Sequence, residues 1–226
     1  MPPPPPPHDY DPRRLQFRDG ETGRLISRAA VRRLIDELVG RVQKDAARIA
    51  AEYERGDLTI TQFEIAMREL LKSGHVVAAS VGKGGRRRMT KADWGRVGAK
   101  LRDEYRYLSR FARKIEQGRI SKLLTTSRAQ LYAAGLNVSF YKAFTDEQVQ
   151  GRAEEKPKVR RVLHATESCD GCRRYAAKGW ISVNQMPLIG ELECGNFCKC
   201  TLEFEDDTAA DRAPVDRARV RIELRL

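Results

Sequence analysis

All five cysteines of this 226-residue chain fall within the 32 positions from Cys169 to Cys200. Cys169-Asp-Gly-Cys172 has the C-x-x-C spacing that turns two sulfurs towards one ion, with Asp170-Gly171 as a natural turn pair. The second half, Cys194-Gly-Asn-Phe-Cys198-Lys-Cys200, supplies three more thiols after 21 intervening residues, with Gly195 easing the turn. Zn²⁺ takes four ligands in a tetrahedron, and thiolates match its borderline softness. Two ligands from each half would make a structural site closed to substrate. Spacing leaves open which of Cys194, Cys198 and Cys200 complete it. One thiol is then spare, or His164 stands in for a cysteine, although a histidine ending a strand reads first as a satisfied core residue. One or two disulfides are a competing reading, and a thioredoxin-like Cys169/Cys172 redox pair is a third. An odd number of thiols weighs against complete disulfide pairing, and the βαβ pattern of a redox fold is missing around the pair.

The chemistry expected elsewhere is electrostatic. The chain is 41% hydrophobic and 33% charged, with a formal net charge of +12 and a pI near 9.7. Between Lys83 and Arg128 stand fifteen basic residues against four acids, an excess of 11 that is nearly the whole imbalance. A helical stretch this basic predicts contact with nucleic acid or an acidic protein face through Arg86, Arg87, Arg88, Lys91, Arg106, Arg110, Arg113 and Lys114. The bland reading is a solvated charged face. No apolar run approaches a membrane span, and the first residues lack the pattern of a secretory signal, so synthesis in a reducing cytoplasm is expected.

These residues need elements to hold them. Pro2–Pro7 predicts an extended polyproline II segment within an arm over 1–20. Apolar periodicity predicts a first helix from Leu25 to about Glu54, broken at Arg55–Thr59, and a second from Ile60 that stops before Gly74. The short connection makes the two an antiparallel hairpin. Ser80–Met89 reads as a flexible basic loop, not a phosphate-binding loop, because no Ser or Thr follows Lys83. Thr90 caps a third helix that ends at Gly118, and a bent or broken helix covers Ser127–Phe144. The basic helical domain thus spans 21–148. Polar Thr145–Lys158 predicts the boundary to a cysteine-rich domain over 149–207, entered by a strand at Val159–Ala165 and left by one at Cys200–Glu205. An extension over 208–226 ends in a strand at Ala218–Leu226. The fold class expected is a mainly α N-terminal domain followed by a small α+β zinc-knuckle-like domain.

No catalytic constellation stands out: Ser/His/Asp, Cys/His/Asn and HExxH patterns are all missing, so no enzyme is expected. His8 and His75 have no ligand company, and Trp94 and Trp180 read as packing residues.

The arrangement resembles the Mu F-like phage head-morphogenesis (minor head protein) family. The resemblance rests on G-D-L-T-x-x-x-F at Gly56–Phe63, C-x-x-C, a P-L-I-G turn at Pro187–Gly190 and the closing C-x-C. Cys169, Cys172, Gly179, Pro187, Gly190, Cys198 and Cys200 fit the pattern. Cys194 stands near where many members have a histidine, one residue further from the final C-x-C. The resemblance implies a non-enzymatic virion component of few copies, made in the bacterial cytoplasm and acting in head assembly and DNA packaging or delivery. Its implied partners are the portal or major capsid protein and packaged DNA, within an oligomeric assembly without a membrane anchor. A zinc-stabilised nucleic-acid-binding regulator is the second reading, and a thiol redox enzyme the third.

Overall fold

Helix starts are written into the chain by hydroxyl side chains. Ser27 Oγ accepts from the Ala30 N–H (3.1 Å) and opens α1, Arg28–Arg55. Thr59 with Gln62 and Thr90 with Asp93 form reciprocal capping boxes that open α2, Ile60–Lys83, and α3, Lys91–Glu116. Gly56 and Gly84 end α1 and α2 in the left-handed conformation, at φ 85° and 72°, where a side chain would be strained. The computed structural model describes residues 8–11, 16–20, 22–150, 157–195 and 198–205. Pro2–Pro7 and the strand expected at Ala218–Leu226 lie outside the described residues.

The described residues are mainly helical, with two small antiparallel sheets among them. β1 (His8–Asp11), β2 (Gln16–Asp19) and β3 (Leu25–Ile26) pair in order, with Tyr10 opposite Phe17. From His8 onward this segment is therefore not the extended arm that was expected. Tyr10 and Phe17 are buried, and Phe17 stacks on Phe144 at 5.6 Å. After α3 the chain forms α4 (Lys122–Leu131), a 3-10 turn (Tyr132–Gly135) and α5 (Leu136–Gln150), the broken helix expected. Polar Thr145–Gln150 continues α5 rather than opening a linker. Thr145, Glu147 and Gln148 are buried in it, the last accepting a 2.6 Å bond from Arg28.

Gly74 does not end α2. It faces Leu136, whose Cδ2 would lie 3.0 Å from an added Cβ, so the missing side chain is room for α5. At Gly82 a Cβ would stand 2.5 Å from the carbonyl oxygen of Phe140. The segment Ser80–Met89 is packed structure rather than an open loop. It comprises the last turn of α2, two left-handed glycines and a 3-10 turn at Arg86–Arg88.

Lys83 is 1% exposed, and its Nζ lies 2.5 Å from Glu147 Oε2 and 3.8 Å from Asp93 Oδ2. Arg88 holds the other Glu147 oxygen through Nε at 2.9 Å, while Arg96 binds Asp93 and, at 2.5 Å, Asp146. Nearby His75 bridges Ser139 (2.7 Å) and Glu104 (3.1 Å), and Lys100 reaches Glu104 at 3.2 Å. Buried charges persist only when paired, and here the pairs join α2, α3 and α5.

Losing one member of such a network strands the others in a dry interior. Lys83→Met should cost about 3–5 kcal/mol, read as a lowered midpoint in urea unfolding. Arg87→Met, at an exposed position, should change stability by less than about 0.5 kcal/mol.

Candidate metal centre

The cysteine lobe is built on β4, Lys158–Val162, the central strand between β5 (Ile181–Ser182) and β6 (Thr201–Phe204). Alternation sends Val159 and Arg161 inward and Lys158 and Arg160 outward. On β6 the inward pair is Leu202 and Phe204, and Phe204 meets Phe144 of α5 at 5.7 Å. The buried core runs without a break from the helices into this lobe, from Tyr10 to Phe204. Gly190, at φ 89°, presses against Val138 of α5, where a Cβ would lie 2.5 Å from a methyl.

Cys169 and Cys172 do not sit in a two-residue turn at Asp170-Gly171. They open α6, Asp170–Ala177: Cys169 is the N-cap, its sulfur accepting from the Cys172 N–H at 3.4 Å, and Cys172 lies in the first turn, fully buried. Gly171 is a clamp point, since its N–H donates to Glu193 Oε2 at 3.2 Å and a Cβ there would meet that carboxylate at 2.4 Å. The residue after the clamp is Cys194. Cys198 and Cys200 lie just before β6, so the second half of the cysteine set is anchored by a strand and by Glu193.

All five cysteines are free thiols, and their sulfurs form two groups, Cys169/Cys172/Cys194 and Cys172/Cys198/Cys200. Within each group all sulfurs lie within 4.8 Å of one another, close enough to hold a metal ion. Cys172 Sγ is shared, at 3.5 Å from Cys194 Sγ and 3.8 Å from Cys198 Sγ. A tetrahedron with metal–sulfur bonds of about 2.3 Å has sulfur–sulfur edges of about 3.8 Å, so these spacings fit an ion. They are far beyond the roughly 2.05 Å of a disulfide bond. His164 is in neither group. It is exposed, with Nε2 2.8 Å from Thr201 Oγ1, and is therefore not the core residue expected.

Crowding divides the thiols. Burial opposes the Cys169 thiolate, but N–H groups of Cys172 and Cys194 outweigh it and bring its pKa below the ordinary thiol value. Cys198 is likewise lowered against burial, by the Cys200 N–H and neighbouring thiols. Burial and the adjacent thiols push Cys172 far up and Cys194 to about 12, and burial beside the charge on Cys198 raises Cys200. Some thiols thus keep protons that a metal must displace.

Arg161 is the site residue that cysteine spacing did not reveal. It is 3% exposed, and Nη1 lies 3.7 Å from both Cys172 Sγ and Cys198 Sγ. Nη2 donates to the carbonyls of Pro187 and, at 3.4 Å, Leu188. The P-L-I-G turn is thereby tied to the sulfurs, and a buried cation stands where thiolate charge collects. The signal available was an arginine two residues after Val159, on the inward face of a predicted strand.

The expected cationic contact set divides between two places. Arg86 lies over Trp94 at 5.2 Å, and Arg88 is held by Glu147 and lies over Tyr10 at 5.5 Å, so neither is a free surface cation. Arg87 and Lys91 are exposed at the start of α3. Arg106, Arg110, Arg113 and Lys114 are exposed further along, with Arg106 bonded to Asp103 at 3.0 Å. Lys91 and Arg106 are 15 residues apart, about 22 Å along the helix, so the two ends do not form one patch.

Metal affinity should rise steeply with pH as Cys172, Cys194 and Cys200 lose protons, which competition with a chromophoric chelator at several pH values will measure. Arg161→Met should weaken binding by about 10–100-fold, as loss of an outer-shell partner does, and steepen its pH dependence. Arg161→Lys should recover part of the affinity.

Compared with family models, curated proteins and solved structures, the chain matches none.

Proposed function

We propose that this chain is a structural minor head protein of a phage, in which a Zn²⁺ ion staples the C-terminal lobe into a rigid docking unit on a basic helical body. The observation that carries the reading is convergence. Both halves of the cysteine set meet at Cys172, which belongs to two groups of three sulfurs, each close enough to hold a metal ion. Four thiolates fill the coordination of Zn²⁺ and leave no position for an activated water, so the ion's contribution is folding free energy rather than catalysis. Cys172 and Cys198 are the best-placed ligands, being buried and within reach of Arg161. Cys169, Cys194 and Cys200 supply the remaining two, with one thiol to spare. The order C-x-x-C, P-L-I-G, C-x-C resembles the head-morphogenesis family and gives the staple its biological setting. The partners proposed are the portal or major capsid protein, with packaged DNA held non-specifically.

Two measurements test this. Elemental mass spectrometry of the reduced protein should find about one zinc per chain, and Cys172→Ser should lose both the metal and the protease resistance of residues 157–205. Quantitative mass spectrometry of purified virions should detect the chain at a small fraction of the major capsid protein, and heads assembled with Cys172→Ser should lack it. Absence from heads would overturn the virion role, while sequence-specific binding to one duplex site would replace it with a regulator.

A further inference from the structure

A cleft of about 970 Å³ runs between α3, the α4 end with its 3-10 turn, and the loop carrying Cys194. Its floor is aromatic, with Phe111 and Tyr132 at 6.1 Å between ring centres. Arg106, Arg110 and Lys114 line one wall at i, i+4 and i+8, and Arg128 stands on the opposite wall. Two of the three acids of the cleft are ion-paired, Asp103 with Arg106 and Glu104 with Lys100 and His75, while Glu193, on the Cys194 wall, accepts from the Gly171 N–H. Arg110, Lys114 and Arg128 form no ion pair with a carboxylate among the described residues, and with five cations against three acids the cleft lining is net positive. Beside them two large apolar side chains stand open to solvent, Tyr107 at 59% and Leu131 at 48% exposed. Tyr107 also lies beneath the Arg110 guanidinium, 6.0 Å from ring centre to Cζ.

We propose that this cleft binds a single strand of nucleic acid, with phosphates on Arg110, Lys114 and Arg128 and a base stacked on Tyr107. Cations four residues apart on a helix recur about every 6 Å, a pitch that suits successive phosphates of one strand. A positively charged groove with an exposed aromatic platform is the arrangement that holds unpaired strands without reading sequence. A duplex keeps its base faces stacked inside and leaves Tyr107 unused, while an acidic peptide offers charge but no flat face. The proposal goes beyond the head-protein reading and does not depend on it. The Glu193–Gly195 wall belongs to the metal-bearing loop, so the zinc-loaded full chain is the form to test.

Fluorescence anisotropy with a short labelled oligothymidylate, a duplex of the same length and a labelled polyglutamate peptide distinguishes the ligands. The single strand should bind most tightly. Tyr107→Ala should weaken it about tenfold with an unchanged salt slope, as loss of one base stack does. Arg110→Gln should reduce the magnitude of that slope by about 0.7, while Arg87→Gln, outside the cleft, should change affinity less than twofold. Tyr107 is exposed, so its alanine variant tests stacking without unfolding the chain. Tighter duplex or peptide binding with a neutral Tyr107→Ala would overturn the proposal, as would an Arg87→Gln loss equal to that of Arg110→Gln. Any of these results with zinc content and virion incorporation intact would leave the head-protein reading standing.

Discussion

The approach of α5 to α2 is the constraint on which the rest of the molecule depends. Two glycines on α2, Gly74 and Gly82, let α5 lie so near that an added methyl at Gly82 would press on backbone atoms of Phe140 and Phe144. Flexible side-chain ends can yield to such a methyl, but backbone cannot. Once α5 is seated there, its other faces become platforms. Phe144 receives Phe17 from the first sheet and Phe204 from the last strand, while Val138 receives the turn at Gly190. The cysteine lobe is thus packed directly onto the helical core.

The lobe's own geometry bears on how a five-thiol cluster is tolerated. Thiols packed at 3.5–3.8 Å cannot all ionise, since each thiolate raises the cost of the next. Backbone N–H groups ease ionisation at Cys169 and Cys198, and Arg161 stands beside Cys172 and Cys198. Were a divalent ion held by four thiolates, the site would carry a net charge of −2, half of which a buried guanidinium would offset. Arg161 also binds the carbonyls of the P-L-I-G turn, so the same cation that steadies the sulfurs fixes the loop between the two cysteine pairs. Glu193 repeats the device from the other side, reaching the first turn of α6 while preceding Cys194 in the chain.

Where local chemistry decides structure, the sequence was readable. Thr90 marks a helix start because its hydroxyl satisfies an orphan N–H group, and the break near Gly135 follows from low helix propensity. The cysteine spacing similarly announced that both halves would meet. Misreadings arose where a long-range partner reverses a local signal. Gly74 looked like a stop but is space for Leu136. Ser80–Met89 looked like a solvated loop because its glycines and cations are locally polar, yet Glu147, 64 positions after Lys83, makes that end of α2 a buried ionic core. Polar Thr145–Gln150 looked like a linker, although Arg28 and Lys83 supply the partners that let its side chains be buried. Nothing within a few residues of Arg161 indicates that sulfurs will surround it.

The same reversal limits what net charge says about partners. An excess of 11 over Lys83–Arg128 suggests one continuous cationic face, yet Lys83 is interior and Arg88, Arg96 and Lys100 are ion-paired. Arg86 covers an indole. What remains for a polyanion is smaller and better placed: the far half of α3, facing Arg128 across an aromatic floor and ending at the cysteine loop. Coulomb attraction between exposed charges fades beyond roughly 10 Å at moderate salt, so geometry within that range governs recognition, whatever the total charge. A strand held between α3 and the Cys194 loop would touch both the helical body and the cysteine lobe, making their junction the place where charge, aromatic surface and thiols meet.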